Sequence, residues 1–122
     1  MITVTMPYIG CHLSENYYKI VGRRGVKTNK TRSDVVKWMG ELTDKVRGFP
    51  TGGNSLTVYV KGKFYDGRVP DIDNLAKVIL DAIKVGVGLD DRYIKFVSLG
   101  YEIDWSRPVL EITLANEGET LS

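Results

Sequence analysis

Residues 70–85 carry an apolar stripe at helical spacing, Leu75, Val78, Ile79 and Ala82, set between stretches that read as strands. Upstream, "NSLTVYVKGKFY" alternates, with Leu56, Val58 and Val60 on one side. Downstream, "RYIKFVSLGYEID" and "PVLEITLAN" form a pair of strands joined through "WSR". A helix with one apolar face must bury it, and the neighbouring strands offer the matching surface. A second helix begins at Ser33 or Asp34, repeats Val35, Trp38, Met39, Leu42 and Val46, and is stopped by Gly48 and Pro50. "MITVTMPYI" supplies a first strand. The order β-α-β-α-β-β predicts an α/β (α+β-like) fold of two layers, a mixed four-stranded sheet with both helices on one face. "DGRVP" and "GVGLDD" read as turns, and "EGETLS" as a frayed tail.

With 122 residues, one core and one domain spanning 1–122 are expected. Cys11 and His12 are the only cysteine and histidine, too few for a disulfide within the chain or a Cys/His zinc site. The start has no basic leader, and no apolar run approaches the roughly 20 residues that span a bilayer. A cytoplasmic, reducing location and no membrane partner are expected.

Net charge is +2, but it is unevenly spread. "KIVGRRGVKTNKTRS" carries Lys19, Arg23, Arg24, Lys27, Lys30 and Arg32 with no acid, whereas five acids face Arg107 alone from Tyr101 onward. A basic stretch containing glycines suits a loop that follows phosphates; a merely solvated loop would look the same. The acids of "PDIDNLAKVILDAI" also admit two readings. Asp71 near the helix start would cap free amides, and Asp73 with Lys77 would make an ordinary pair four residues apart, with Asp81 a turn further on. Alternatively, Asp71 and Asp73 converge because Asp71 precedes the helix proper. "LDDRYI" adds Asp90 and Asp91 at a turn feeding the next strand. If that strand runs beside the helix start, Asp91 reaches the Asp71/Asp73 pair, leaving Asp90 to the turn. Three such carboxylates repel one another unless a cation neutralises them. Oxygen ligands without imidazole or thiolate favour Mg²⁺, with Mn²⁺ as substitute. Calcium in an EF-hand is a poor match, since the position that requires glycine is Ala76. The ammonium of Lys77 could neutralise charge building on a phosphate under attack by water.

"DIDNLAKVILDAI" followed by "GLDDRYI" resembles the signature of the RusA family of Holliday-junction resolvases: D-x-D-N-x-x-K, then a paired Asp about fifteen residues later. Asn74, the Asp81–Ala82 pair and the Leu-Asp-Asp turn match too, and "ENYYK", with Asn16, is similar to the family's aromatic N-terminal segment. The resemblance implies a Mg²⁺-dependent homodimeric endonuclease that nicks two opposed strands of a four-way DNA junction in recombination and repair, in a bacterium, prophage or phage. It places the essential acids on Asp71, Asp73 and Asp91, and the essential lysine on Lys77; Asn74, Asp81 and Asp90 stand behind them. Asn16, Lys19, Arg23, Arg24, Lys27, Lys30, Arg32 and Arg68 are the expected DNA contacts. The family often has several arginines before the first Asp, where this chain has only Arg68 in "KFYDGRVP", and the turn "KVGVG" is compact. Two symmetric cuts call for a two-fold dimer, with apolar surface on the first strand or the tyrosine-rich segment helping it form. The competing functions are a nuclease for other branched DNA and a catalytically inactive junction-binding protein. Carboxylates beside phosphates weaken pure binding, which argues against the latter.

Overall fold

In the computed structural model, residues 1–10, 13, 29–51, 55–65, 72–104 and 108–119 are described, without the side chains of residues 29–32, 73, 74 and 91. Strand β1 spans Ile2–Pro7, helix α1 Asn29–Val46, strand β2 Leu56–Phe64, helix α2 Ala76–Val87, strand β3 Ile94–Ile103 and strand β4 Val109–Asn116. Short 3₁₀ turns at Ile72–Leu75 and Asp91–Tyr93 bracket α2. The expected element order is present, as are the mixed four-stranded sheet and the two helices.

The sheet order is β1-β4-β2-β3. β4 lies antiparallel between β1 and β2, with Ile2 opposite Leu114 and Leu56 opposite Asn116. β2 and β3 are parallel, with Leu56 opposite Ile94. Parallel neighbours need a crossover, and α2 provides it, returning the chain from the end of β2 to the start of β3. β3 and β4 follow one another in sequence but are separated by β2, so β3 is an edge strand. Its register slips where Val60 pairs with Ser98 and Gly62 with Tyr101. Gly100 takes up the irregularity at φ 77°, a conformation that favours glycine.

Alternation divides the sheet faces. Leu56, Val58, Val60 and Phe64 of β2 are buried with Leu110, Ile112 and Leu114 of β4. Against them pack Val35, Trp38, Leu42 and Val46 from α1, and Val78, Ile79, Ala82 and Ile83 from α2. Each fully buried Leu or Ile contributes about 1.5–3 kcal/mol by leaving water. Two buried polar groups find partners: Trp38 Nε1 donates to the carbonyl of Pro7 at 2.7 Å, and Thr43 Oγ1 to that of Ala82 at 2.8 Å. The latter ties α1 to α2. The other face stays polar, with Thr3 and Thr113 sharing a hydroxyl hydrogen bond of 2.8 Å and Lys63 bridging Glu102 and Glu111.

Three boundaries differ from those expected. α1 begins at Asn29, not at Ser33 or Asp34, so Lys30 and Arg32 stand on its first turn rather than in a loop. α2 begins at Ala76, after a 3₁₀ turn, so Asp73 is not on its surface. α2 also runs through Gly86 and ends at Gly88, whose φ of 75° closes a left-handed cap with its N–H donating to Lys84 O. Gly86 stays helical because α1 passes close by: a Cβ there would stand 2.6 Å from Val46 Cγ2 and 2.7 Å from Thr43 O.

Candidate active site

The turn Ile72–Leu75 is fixed from within. Ile72 and Leu75 are both buried, and in a 3₁₀ turn residues three apart lie over one another, so one apolar pair seats the segment on the core. Ile72 reaches the backbone of β2: its Cδ1 lies 3.1 Å from where a Cβ on Gly62 would stand. Gly62 pairs with Tyr101, so the turn sits beside the far ends of β2 and β3. That anchorage positions the backbone of Asp73 and Asn74, which lie between the two buried residues. Asp71 and Arg68 lie outside the described residues, as do Asn16, Lys19, Arg23, Arg24 and Lys27.

Lys77 stands one residue into α2. Its Nζ lies 3.2 Å from Asp81 Oδ1, one turn on, and Lys84 Nζ lies 3.6 Å from the same oxygen. The Asp81 side chain is only 12 % exposed, whereas the lysines reach water at 41 % and 37 %. Asp81 is thus a largely sheltered anion between two half-exposed cations, and it holds the Lys77 stem along the helix. The spacing Asp81–Lys84 is visible in the sequence at i, i+3, beside the Lys77–Asp81 spacing at i, i+4.

At the other end of α2, Asp90 serves its turn. Its Oδ1 accepts from the Arg92 N–H at 3.1 Å, its backbone carbonyl accepts from the Tyr93 N–H at 3.0 Å, and its carboxylate pairs with the Arg92 guanidinium at 3.5 Å. Arg92 also lies over the Tyr93 ring, 5.4 Å from its centre. Asp91 opens the 3₁₀ turn that leads into Ile94, and Ile94 is opposite Leu56, the first residue of β2. The backbones of Asp73 and Asp91 are therefore at opposite ends of a twelve-residue helix, which at 1.5 Å per residue separates them by about 18 Å or more. β3 starts beside the end of the helix, so the condition for Asp91 to join Asp73 in one chain is not met. Among the described residues no group of three or more His, Cys, Asp or Glu side chains gathers as a metal site, a statement that does not extend to the side chains of Asp71, Asp73 and Asp91.

The aspartates in the turns at either end of α2, with a lysine on the first turn of that helix, are the residue types of a metal-assisted phosphodiester site. The family model for the endodeoxyribonuclease RusA matches residues 22–115, which span the first helix, the D-x-D-N-x-x-K run, the paired Asp and all but the first strand of the sheet. The chain belongs to this family. It is a nuclease of the Holliday-junction resolvase family. No match to a curated protein sequence was found. No helix among the described residues is long and apolar enough to cross a membrane.

Proposed function

We propose that this chain, as a single endonuclease domain in the cytoplasm of a bacterium or of a phage host, resolves four-way DNA junctions by paired symmetric nicks that depend on Mg²⁺. The observation that carries the reading is the match over residues 22–115, which includes Asp71, Asp73, Lys77 and Asp91 in their expected order. The donor chemistry fits a hard divalent cation: the proposed ligands Asp71, Asp73 and Asp91 offer carboxylate oxygens only, the set that suits Mg²⁺ or Mn²⁺. Such an ion, when bound, lowers the pKa of a coordinated water and polarises phosphate oxygens.

The residues of the chain divide the remaining work. Asp71, Asp73 and Asp91 bind and orient the cation. Lys77 neutralises charge that develops on the phosphate as its bond to the leaving oxygen breaks, and Asp81 and Lys84 set the position of that ammonium. Asn74 and Asp90 support the two turns. DNA is gathered by the basic segment, from Asn16 and Lys19 through Arg23, Arg24 and Lys27 to Lys30 and Arg32, with Arg68 on the approach to Asp71. The first turn of α1 contains Lys30 and Arg32 and no acid, which adds positive charge at the positive end of a helix dipole, a conflict that a bound polyanion would relieve.

The test is cleavage of an immobile synthetic four-way junction, with and without Mg²⁺, beside a linear duplex of the same sequence. Paired nicks in the junction alone, dependent on the metal, are expected. Binding without cleavage under every divalent metal would favour an inactive junction-binding protein, and equal cutting of flaps or forks a broader branched-DNA nuclease. Asp73→Asn is expected to abolish cleavage while junction binding holds or tightens, because a repulsion of phosphate is removed.

A further inference from the structure

We propose that Arg92 and Tyr93 form a stacking platform for an unstacked nucleobase at the branch point of the DNA, and that this platform separates branched from linear substrates. The inference rests on the nuclease reading above and names the residues that recognise a branch.

The pair stands on a turn that is held from both sides. Asp90 fastens it at the front: its Oδ1 accepts from the Arg92 N–H at 3.1 Å, its Oδ2 lies 3.5 Å from Arg92 Nη2, and its carbonyl accepts from the Tyr93 N–H at 3.0 Å. Behind the turn, Ile94 is buried and paired with Leu56 at the start of the β2–β3 ladder. The backbone under Arg92 and Tyr93 therefore has no freedom to swing. A platform ordered in advance loses little conformational entropy when a ligand settles on it.

What the turn displays is not needed by the core. The Arg92 side chain is 71 % exposed and Tyr93 is 49 % exposed, while Ile94 supplies the apolar anchor. The guanidinium carbon lies 5.4 Å from the centre of the Tyr93 ring, inside the roughly 6 Å range of a cation–π contact. Tyr101 is as exposed, but its ring leans on that of Phe64, 6.3 Å away; Tyr93 has a planar cation instead. Lys95, the next outward residue of β3, is exposed too. One buried isoleucine thus carries an exposed arginine, tyrosine and lysine around it.

The chemistry of the pair selects a base over a phosphate. Asp90 already offsets the charge of Arg92, so the pair offers planar surface more than net positive charge. Unstacked bases settle on aromatic rings and on guanidinium planes, in any sequence, because every base has a π-face. In a continuous duplex those faces are covered by the neighbouring base pairs, and a three-residue turn cannot reach them. At a branch point the stack is interrupted and a face is open. The platform therefore engages branched DNA and passes over a linear duplex, which meets only the cations around it.

The decisive experiment compares Tyr93→Leu, which keeps apolar bulk without a ring, with Tyr93→Phe, which keeps the ring. Affinities for a four-way junction and for a linear duplex of the same sequence are measured in EDTA. Tyr93→Leu is expected to lose about 5- to 150-fold on the junction, the usual loss for one stacked base, and to stay within about twofold on the duplex. Tyr93→Phe is expected to bind both like wild type. In a second arm, 5-iodouracil is placed at the branch point, the wild-type complex is irradiated, and the crosslinked residue is identified by mass spectrometry. A crosslink to Tyr93 from the junction, and none from the duplex, is expected. This arm decides even where the leucine variant fails to fold. Unchanged junction affinity in folded Tyr93→Leu, an equal loss on the duplex, or a branch-point crosslink that maps elsewhere overturns the proposal. Wild type that crosslinks through Tyr93 but nicks no DNA with Mg²⁺ or Mn²⁺ would sink the nuclease reading and uphold the platform; junction nicking without the crosslink does the reverse.

Discussion

The ammonium of Lys77 rests 3.2 Å from Asp81 Oδ1, on an oxygen that Lys84 approaches to 3.6 Å from the other side. A lysine stem left to itself samples many rotamers, and ordering it costs up to about 2 kcal/mol. Asp81 offsets part of that cost, so the Lys77 ammonium is held along α2, one turn on from its own backbone.

Removing either partner should separate positioning from chemistry. Lys77→Ala is expected to cut the nicking rate by about 10²–10³-fold, the usual loss for one electrostatic stabiliser, with Mn²⁺ affinity within about twofold of wild type. Asp81→Asn keeps Lys77 but removes the charge that its ammonium pairs with, and a loss of about tenfold in rate is expected. Because both lysines are more than a third exposed, the accompanying loss of stability should stay below about 1 kcal/mol. Single-turnover cleavage and urea unfolding measure the two effects. Wild-type rates for Lys77→Ala would remove Lys77 from the mechanism.

Two glycines offer a matched pair of substitutions. A Cβ at Gly62 would run into the Phe64 ring and stand 3.1 Å from Ile72 Cδ1, so Gly62→Ala pushes on the residue that seats the Asp73 turn. At Gly86 the obstacle includes the backbone carbonyl of Thr43, 2.7 Å away. An alanine there gains about 1 kcal/mol of helix propensity, but overpacking against backbone costs about 1–3 kcal/mol, so the clash wins. Both variants are expected to lose stability by about 1–2 kcal/mol. Only Gly62→Ala should also lose cleavage per folded molecule, because Gly86 contacts α1 and not the Asp73 turn. Thermal unfolding and activity corrected for folded fraction distinguish them.

Apolar spacing alone carried the order of elements and the faces of both helices: Leu75, Val78, Ile79 and Ala82 are buried where their periodicity put them. Neighbour relations were not legible, because alternation says which face a strand buries and not which strand lies beside it. The pair "RYIKFVSLGYEID" and "PVLEITLAN" follows in sequence, yet the β2–α2–β3 crossover places β2 between them. The early start of α1 escaped for a related reason, since Asn29–Arg32 contains no apolar residue to extend the stripe. Gly86 looked like a turn residue until the close approach of Val46 explained it. For the site, residue types and their order were readable in the motif. Their distribution along α2 was not, since it depends on the parallel pairing of β2 with β3.

The charged ladder on the helix-free face should leave a pH signature. Lys61 donates to Glu102 and holds its carboxyl below the ordinary 4.5, while a hydrogen bond and charge from Glu111 raise Lys63 above 10.5. A depressed carboxylate contributes stability above its ordinary value and loses it as pH falls through the folded one. A raised lysine contributes below its ordinary value and loses it as pH rises past the folded one. The melting temperature is thus expected to be flat across neutral pH, with small declines below about pH 4.5 and above about pH 10.5. All four side chains reach water, so 1 M salt should flatten the ladder's share of both declines. Lys61→Met measured beside wild type isolates that share at the acid end; an acid limb of unchanged size in the variant would mean the ladder is inert.

Lys30 and Arg32 allow stability and binding to be driven in opposite directions. Both stand on the first turn of α1, which contains no acid, so each positive charge opposes the helix dipole. Lys30→Glu and Arg32→Glu reverse that conflict and should stabilise the free protein by about 0.3–1 kcal/mol each at low salt. If this turn meets phosphates, the same changes must weaken binding to every DNA, junction or duplex, and reduce the magnitude of the slope of log affinity against log salt by about 1 or more per residue. Urea unfolding at low ionic strength and a salt series of binding isotherms give the two numbers. Stabilisation together with an unchanged salt slope would confine DNA binding to the segment before α1; a weakened affinity in a destabilised protein would mean that the substitutions act by damaging the fold.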